Sequence, residues 1–167
     1  NIQDYFDEYE QSIRTKNTQP AKILVISDFL RKTFDVSIED LALGAEKYIK
    51  SKVLEIRGRT DLLLAGVVLE IKIDLRRELK DAEEEVERYM KILRELRKDD
   101  YISIVTDGIV FKSYKLGKDN KPVCISEVSI DEGAEKFIIW LDSYLFTRRN
   151  VKPTANDLQV KFGLQTP

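Results

Sequence analysis

The chain contains no histidine. That absence excludes Ser-His-Asp and Cys-His nucleophilic catalysis, and nucleases that rely on a histidine general base. It also excludes His-ligated zinc. Any metal must then be held by oxygen ligands, which suits a hard cation, Mg2+ with Mn2+ as a substitute. The single cysteine, Cys124, can neither close an internal disulfide nor supply a zinc site. It points to a reducing, cytoplasmic setting. No apolar run approaches the roughly 20 residues of a membrane helix, so no membrane partner is expected. The opening Asn1-Ile2-Gln3-Asp4 is polar and acidic, unlike a signal peptide. A basic excess is missing too: 28 Lys and Arg stand against 30 Asp and Glu, a net charge of −2. A simple nucleic-acid coat domain carries an obvious positive surplus. A DNA-acting enzyme with this balance needs local basic patches or help from another domain.

What is present is enough for one domain. The 167 residues can bury a real core. Polar, Tyr-containing Ile2 to Thr15 reads as a polar helix. Pro20 suits the first turn of a second helix running to about Phe34, with Ile23, Val25, Ile26, Phe29 and Leu30 as its core face. A third helix is expected over Ser37 to Lys50, started by Ser37 with Asp40 three residues on. The period then changes. Val53 to Arg57, Arg59 to Leu64 and Val67 to Asp74 read as strands, with Ala65-Gly66 as a turn. A long helix follows from about Arg76 to Lys98, where Leu79, Ala82, Val86, Tyr89 or Met90, Leu93 and Leu96 recur at helical spacing. Strands are expected at Tyr101 to Thr106, Ile109 to Leu116 and Val123 to Val128, and a last helix at Ile130 to Phe146. This order predicts an α/β fold, an α+β sandwich with a central mixed sheet flanked by helices. Residues 1–146 form the expected domain, and 147–167 a linker or the start of a following domain. The absent initiating Met suggests a chain processed or excised from something longer.

The hairpin around Ala65-Gly66 carries the chemistry. Pairing outward from a two-residue turn sets Leu64 against Val67, Leu63 against Val68, Leu62 against Leu69 and Asp61 against Glu70. Alternation puts Leu62, Leu64, Val67, Leu69, Ile71 and Ile73 on one face. The other face shows Arg59, Asp61, Glu70, Lys72 and Asp74. Directly opposed residues have Cβ atoms about 4.5–5.5 Å apart, and like charges there destabilise the sheet. A divalent cation bridging Asp61 and Glu70 would cancel that repulsion. Lys72 would then stand beside the metal, against a phosphate or an attacking water. The competing explanation is an exposed sheet face with solvated charges in cross-strand pairs.

Thr60-Asp61, followed after a hydrophobic hairpin by Glu70-Ile71-Lys72, resembles the PD-(D/E)xK nuclease superfamily. The resemblance covers about residues 18–116 and implies a restriction-endonuclease-like core that hydrolyses phosphodiesters. Thr60 stands where the signature has Pro. By the resemblance, Asp61, Glu70 and the backbone carbonyl of Ile71 hold one or two divalent ions. Lys72 orients or helps deprotonate water and neutralises the transition state. Some branches carry Gln-x-x-x-Tyr on the next helix. Here Tyr89 matches and Glu85 replaces the Gln. Many members add an acidic residue on the first core helix; Gln19, which stands where related restriction-type domains often have Glu, and Glu46 on the next helix are the candidates. The tail from Thr154 to Leu164 is similar to the segment leading out of N-terminal nuclease domains in fused restriction-modification enzymes.

Lys112, Lys115, Lys118, Lys121, Arg76 and Arg77 could contact phosphates, and Arg57 and Arg59 lie nearer the expected site. For most of them a solvated surface role is the simpler reading. The expectation is therefore a Mg2+-dependent endodeoxyribonuclease, the cleavage module of a larger restriction or restriction-modification enzyme. Its partners would be DNA and other domains of the same polypeptide. Cutting both strands needs two active sites, which a transient homodimer would supply. The alternatives are a catalytically inactive nuclease-fold module for nucleic-acid binding or assembly, and a plain α/β interaction domain.

Overall fold

The computed structural model describes residues 1–34, 62–64, 67–97 and 101–148. The expected helix at Ser37–Lys50, the strand at Val53–Arg57 and the candidates Glu46, Arg57, Arg59 and Asp61 lie outside them, as does nearly all of the expected linker. The elements in order are α1 (Ile2–Ile13), α2 (Gln19–Phe34), β1 (Leu62–Leu64), β2 (Val67–Ile71), α3 (Leu75–Arg97), β3 (Ile102–Thr106), β4 (Val110–Leu116), β5 (Pro122–Ser129) and α4 (Ala134–Arg148).

The strands form one five-stranded sheet in the order β1-β2-β3-β4-β5. The pair β2–β3 is parallel and the other neighbours are antiparallel. A parallel pair needs a crossover, and α3 provides it. The hairpin register is the expected one: Leu64 faces Val67, Leu63 faces Val68 and Leu62 faces Leu69. The protein is thus α/β, with a mixed sheet flanked by helices.

Over β2, β3 and β4 both sheet faces are covered. On one, Val67, Leu69 and Ile71 of β2 join α1, α2 and α4 in the main core. Phe137 of α4 lies 5.7 Å from Phe29 of α2, 6.0 Å from Tyr9 of α1 and 5.0 Å from Phe111 of β4, ring centre to ring centre. Each such ring pair contributes about 0.5–1.5 kcal/mol beyond its buried area. On the other face α3 packs Ala82, Val86 and Met90 against Val105 and Tyr114, and sets Tyr89 and Leu93 against Val68. Tyr89 and Met90 are both buried, which settles the choice left open by helical spacing.

Four expectations need correction. The first helix is amphipathic rather than polar throughout, because Ile2, Phe6, Tyr9 and Ile13 form a buried stripe. The second strand ends at Ile71, not Asp74. Beyond it, Asp74 turns to start α3, accepting the Arg76 amide at 3.0 Å. Ile73, expected on the apolar face, is consequently exposed. The last helix is broken: Ile130–Glu132 is a single 3-10 turn, and Gly133 at φ 102° separates it from α4. No helix among the described residues is long and apolar enough to cross a membrane.

Candidate functional site

The first turn of α2 is anchored to the end of β2. Lys22 is almost fully buried, and its ammonium donates to the carbonyls of Ile73, at 2.8 Å, and Asp107. Burial works to lower its pKa, and it sits below the ordinary lysine value despite the opposing charges of Asp107, Asp74 and Glu78. One turn earlier, Gln19 Nε2 donates to the carbonyl of Ile71 at 2.7 Å. Two α2 side chains therefore grip the main chain on either side of Lys72. Lys22 escaped the sequence reading, although it shares a helical stripe with Ile26, Phe29 and Leu30.

Strand alternation turns Leu69 and Ile71 into the main core and Glu70 and Lys72 toward α3. Glu70 is only 1 % exposed. An exposed, solvated sheet face therefore does not describe this position. Removing a carboxylate from water costs several kcal/mol unless a partner offsets it. Lys72 Nζ supplies that partner, 3.3 Å from Glu70 Oε1 and 3.0 Å from Glu85 Oε1. Glu85 comes from α3, and Tyr89, four residues on, lies on the same helix face. The structure thus brings together Glu70, Lys72, Glu85 and Tyr89, with Gln19 on the intervening Ile71 carbonyl.

The electrostatics follow. Burial alone would lower the Lys72 pKa, but bonding to Glu85 and the charges of Glu70 and Glu85 outweigh it and raise the value. Burial pushes Glu85 up, but hydrogen bonding with Glu70 and Lys72, aided by the charges of Lys72 and Arg88, holds it below the ordinary carboxylate value. Burial, then the Glu70 charge, pushes the Tyr89 phenol well up, so it stays a neutral hydroxyl. Arg88 lies over the Tyr89 ring at 5.4 Å.

The cluster sets two glutamates against one ammonium. Its donors toward a cation are all oxygen: Glu70, Glu85 and the Ile71 carbonyl. That set fits a hard divalent ion in kind. Among the described residues no three metal-ligating side chains converge. Asp61, expected opposite Glu70, lies outside them.

The surface cations are paired or solvated. Arg76 and Arg77 are exposed and pair with Asp74 at 3.4 Å and 3.8 Å. Lys112 pairs with Glu127 and Lys121 with Glu87. Lys115 and Lys118 stand exposed. No protein-family model, no curated protein and no solved structure matches the chain.

Proposed function

We propose that the protein is a divalent-metal-dependent endonuclease hydrolysing DNA phosphodiester bonds, built on a restriction-endonuclease-like core. The observation that carries this reading is the buried Glu70 with Lys72 two residues on, both turned to one side of β2 and joined there by Glu85. A buried carboxylate that shares its one ammonium with a second, partly exposed carboxylate is costly as a structural device. It suits a site whose substrate is anionic and whose cofactor is a cation.

In this reading Asp61, Glu70 and the Ile71 carbonyl hold Mg2+, with Mn2+ as a substitute. The metal would supply Lewis-acid stabilisation of phosphorane charge and a more acidic water. Lys72 positions the attacking water and faces the charge that develops on the phosphoryl oxygens. Tyr89 stays protonated and shapes the floor beside Glu70. Gln19 holds the Ile71 carbonyl in place from α2. The chain would act as the cleavage module of a larger restriction or restriction-modification polypeptide, pairing transiently with a second copy to cut both strands.

The test is incubation of the chain, and of any longer parent, with supercoiled plasmid and Mg2+ or Mn2+. Metal-dependent nicking that Lys72→Ala abolishes supports the enzyme. A parent that leaves plasmid intact under every metal condition rules it out in favour of a binding or assembly module.

A further inference from the structure

Beside the Glu70–Lys72 strand end lies a cavity of about 480 Å³, bounded by the α1–α2 connection, the residues after Lys72 and the β3–β4 turn. That size is within the range of sites for small ligands. Its charged lining is Arg14, Lys16, Lys22, Arg76, Asp74 and Asp107. Four cations face two carboxylates in this lining, and Asp131 just outside it pairs with Arg14, which leaves one positive charge in a chain whose overall balance is −2. Three other cavities among the described residues carry one more carboxylate than cation each. The lining of this one has the opposite balance.

Its two carboxylates are also occupied. Asp107 Oδ1 accepts the amides of Ile109 and Val110 at 3.0 Å, and Oδ2 accepts that of Leu75 at 3.1 Å. Asp74 accepts the Arg76 amide and pairs with Arg76 and Arg77. On the cationic side, Arg14 is held by Asp131 at 2.5 Å. Lys22 donates hydrogen bonds to two carbonyls and is fixed there. Lys16 has no ion pair among the described residues, and the Arg76 side chain is 91 % exposed. Lys16, and Arg76 by leaving its Asp74 partner, are the groups able to turn to a ligand.

We propose that this cavity receives a backbone phosphate of the DNA strand, next to the phosphodiester held at Glu70 and Lys72. The placement follows from chain connectivity, since Ile73 and Asp74 in its wall directly succeed Lys72. The site rests on the nuclease reading for its substrate. It adds strand positioning by Lys16 and Arg76, with Lys22 behind them. Phosphate contacts of this kind supply affinity and register without reading sequence.

The test measures binding of a short labelled DNA duplex to the full chain by anisotropy, in EDTA across a salt series, alongside plasmid nicking in Mg2+. Replacing both cations, Lys16→Ala with Arg76→Ala, is expected to weaken binding about tenfold. It should also flatten the dependence of log K on log salt by about one unit per cation. Lys136→Ala, an exposed lysine outside the cavity lining, serves as the control and should leave the slope closer to wild type. Should the double variant fail to fold, Lys16→Gln alone carries the same slope test at one unit. A folded variant with wild-type affinity and slope overturns the inference, as does a wild-type chain that does not bind the duplex. Slope loss with no nicking by the chain or by any longer parent keeps the phosphate site and overturns the nuclease. Nicking with an unchanged slope does the reverse.

Discussion

Lys72 Nζ lies 3.0 Å from Glu85 Oε1, a contact between the strand carrying Glu-x-Lys and the helix that crosses it. Strand and helix therefore share one ammonium, and its direction is set from both sides. Glu85→Ala frees Lys72 from the helix while leaving Glu70 as its partner. Under the proposed nuclease activity, plasmid nicking is expected to fall by about tenfold to a hundredfold in kcat, the scale of a misplaced reacting group. Glu85→Gln retains an acceptor at that place and should recover much of the loss. Because the Glu85 side chain is 32 % exposed, stability should change by less than ~1 kcal/mol in either variant. Steady-state nicking kinetics, with melting curves beside them, check the separation of rate from stability.

The same contact has a pH signature in the metal-free protein. The Glu85 carboxyl is held below its ordinary value in the fold, so the unfolded state binds its proton more readily. Stability from this group is then present above the unfolded value of 4.5 and is lost as pH falls through the lower folded value. Lys72 has the opposite sign. Its raised folded value keeps its contribution in full below 10.5 and loses it as pH climbs beyond. Urea unfolding in EDTA should show wild type losing more stability than Glu85→Gln between about pH 5 and pH 3. Parallel curves for the two proteins would contradict the assignment.

Metal binding should appear as stabilisation. At a concentration one hundredfold above Kd, an ion that binds only the folded chain adds about 2.7 kcal/mol. For a domain of this length that is a rise of several degrees in Tm. Mg2+ or Mn2+ is expected to give this rise in wild type. Glu70→Gln and Asp61→Asn should each remove most of it. Differential scanning fluorimetry across a metal titration reads the effect without any substrate.

Much of this arrangement was legible from residue order. The spacing around Ala65-Gly66 predicts the register from Leu64–Val67 to Leu62–Leu69, and that register is found. The apolar stripe of α3 was equally plain, because Ala82, Val86 and Leu93 recur at helical period. The burial of Glu70 was not legible. Strand alternation places it on a polar face, but only the return of α3 over that face removes water from it. Asp61, the intended partner of Glu70, lies outside the described residues, so the acidic pair itself stays an expectation. Helix α1 misled through composition: its many acidic residues hid a stripe of Ile2, Phe6, Tyr9 and Ile13. Lys22 was hidden for the converse reason, since a lysine on an apolar stripe looks like an edge position until its carbonyl partners are known.

The turn after β3 depends on close approach. Tyr9 Oη donates to the Gly108 carbonyl at 2.6 Å, and Gly108 sits at φ 89° with the Ile13 side chain against its Cα. A Cβ there would run into Ile13, in a backbone region that L-residues rarely adopt. Gly108→Ala should cost at least ~2 kcal/mol, from strain and displaced packing together. Tyr9→Phe removes only the hydroxyl and leaves a buried acceptor, a loss of about 1–2 kcal/mol. Chemical denaturation of both variants should rank them in that order.

Lys22→Met tests whether α2 is held on the site by its buried ammonium. Two carbonyls, of Ile73 and Asp107, lose a charged donor, and each such bond contributes about 1.5–3 kcal/mol. Against this, the variant no longer buries a charge, which relieves part of the desolvation cost that depresses the Lys22 pKa. Methionine also fills similar space along the stripe shared with Ile26, Phe29 and Leu30. The balance should be a net loss of about 2–4 kcal/mol, read as a lower urea midpoint at unchanged m. Nicking should fall further than Glu85→Ala makes it fall, because Ile73 and the main chain beside Lys72 lose their anchor. Lys22→Arg, which restores the charge but not the fit, should recover less than half of the stability. A Lys22→Met protein as stable and as active as wild type would show that Gln19 and the apolar stripe seat α2 without the buried ammonium.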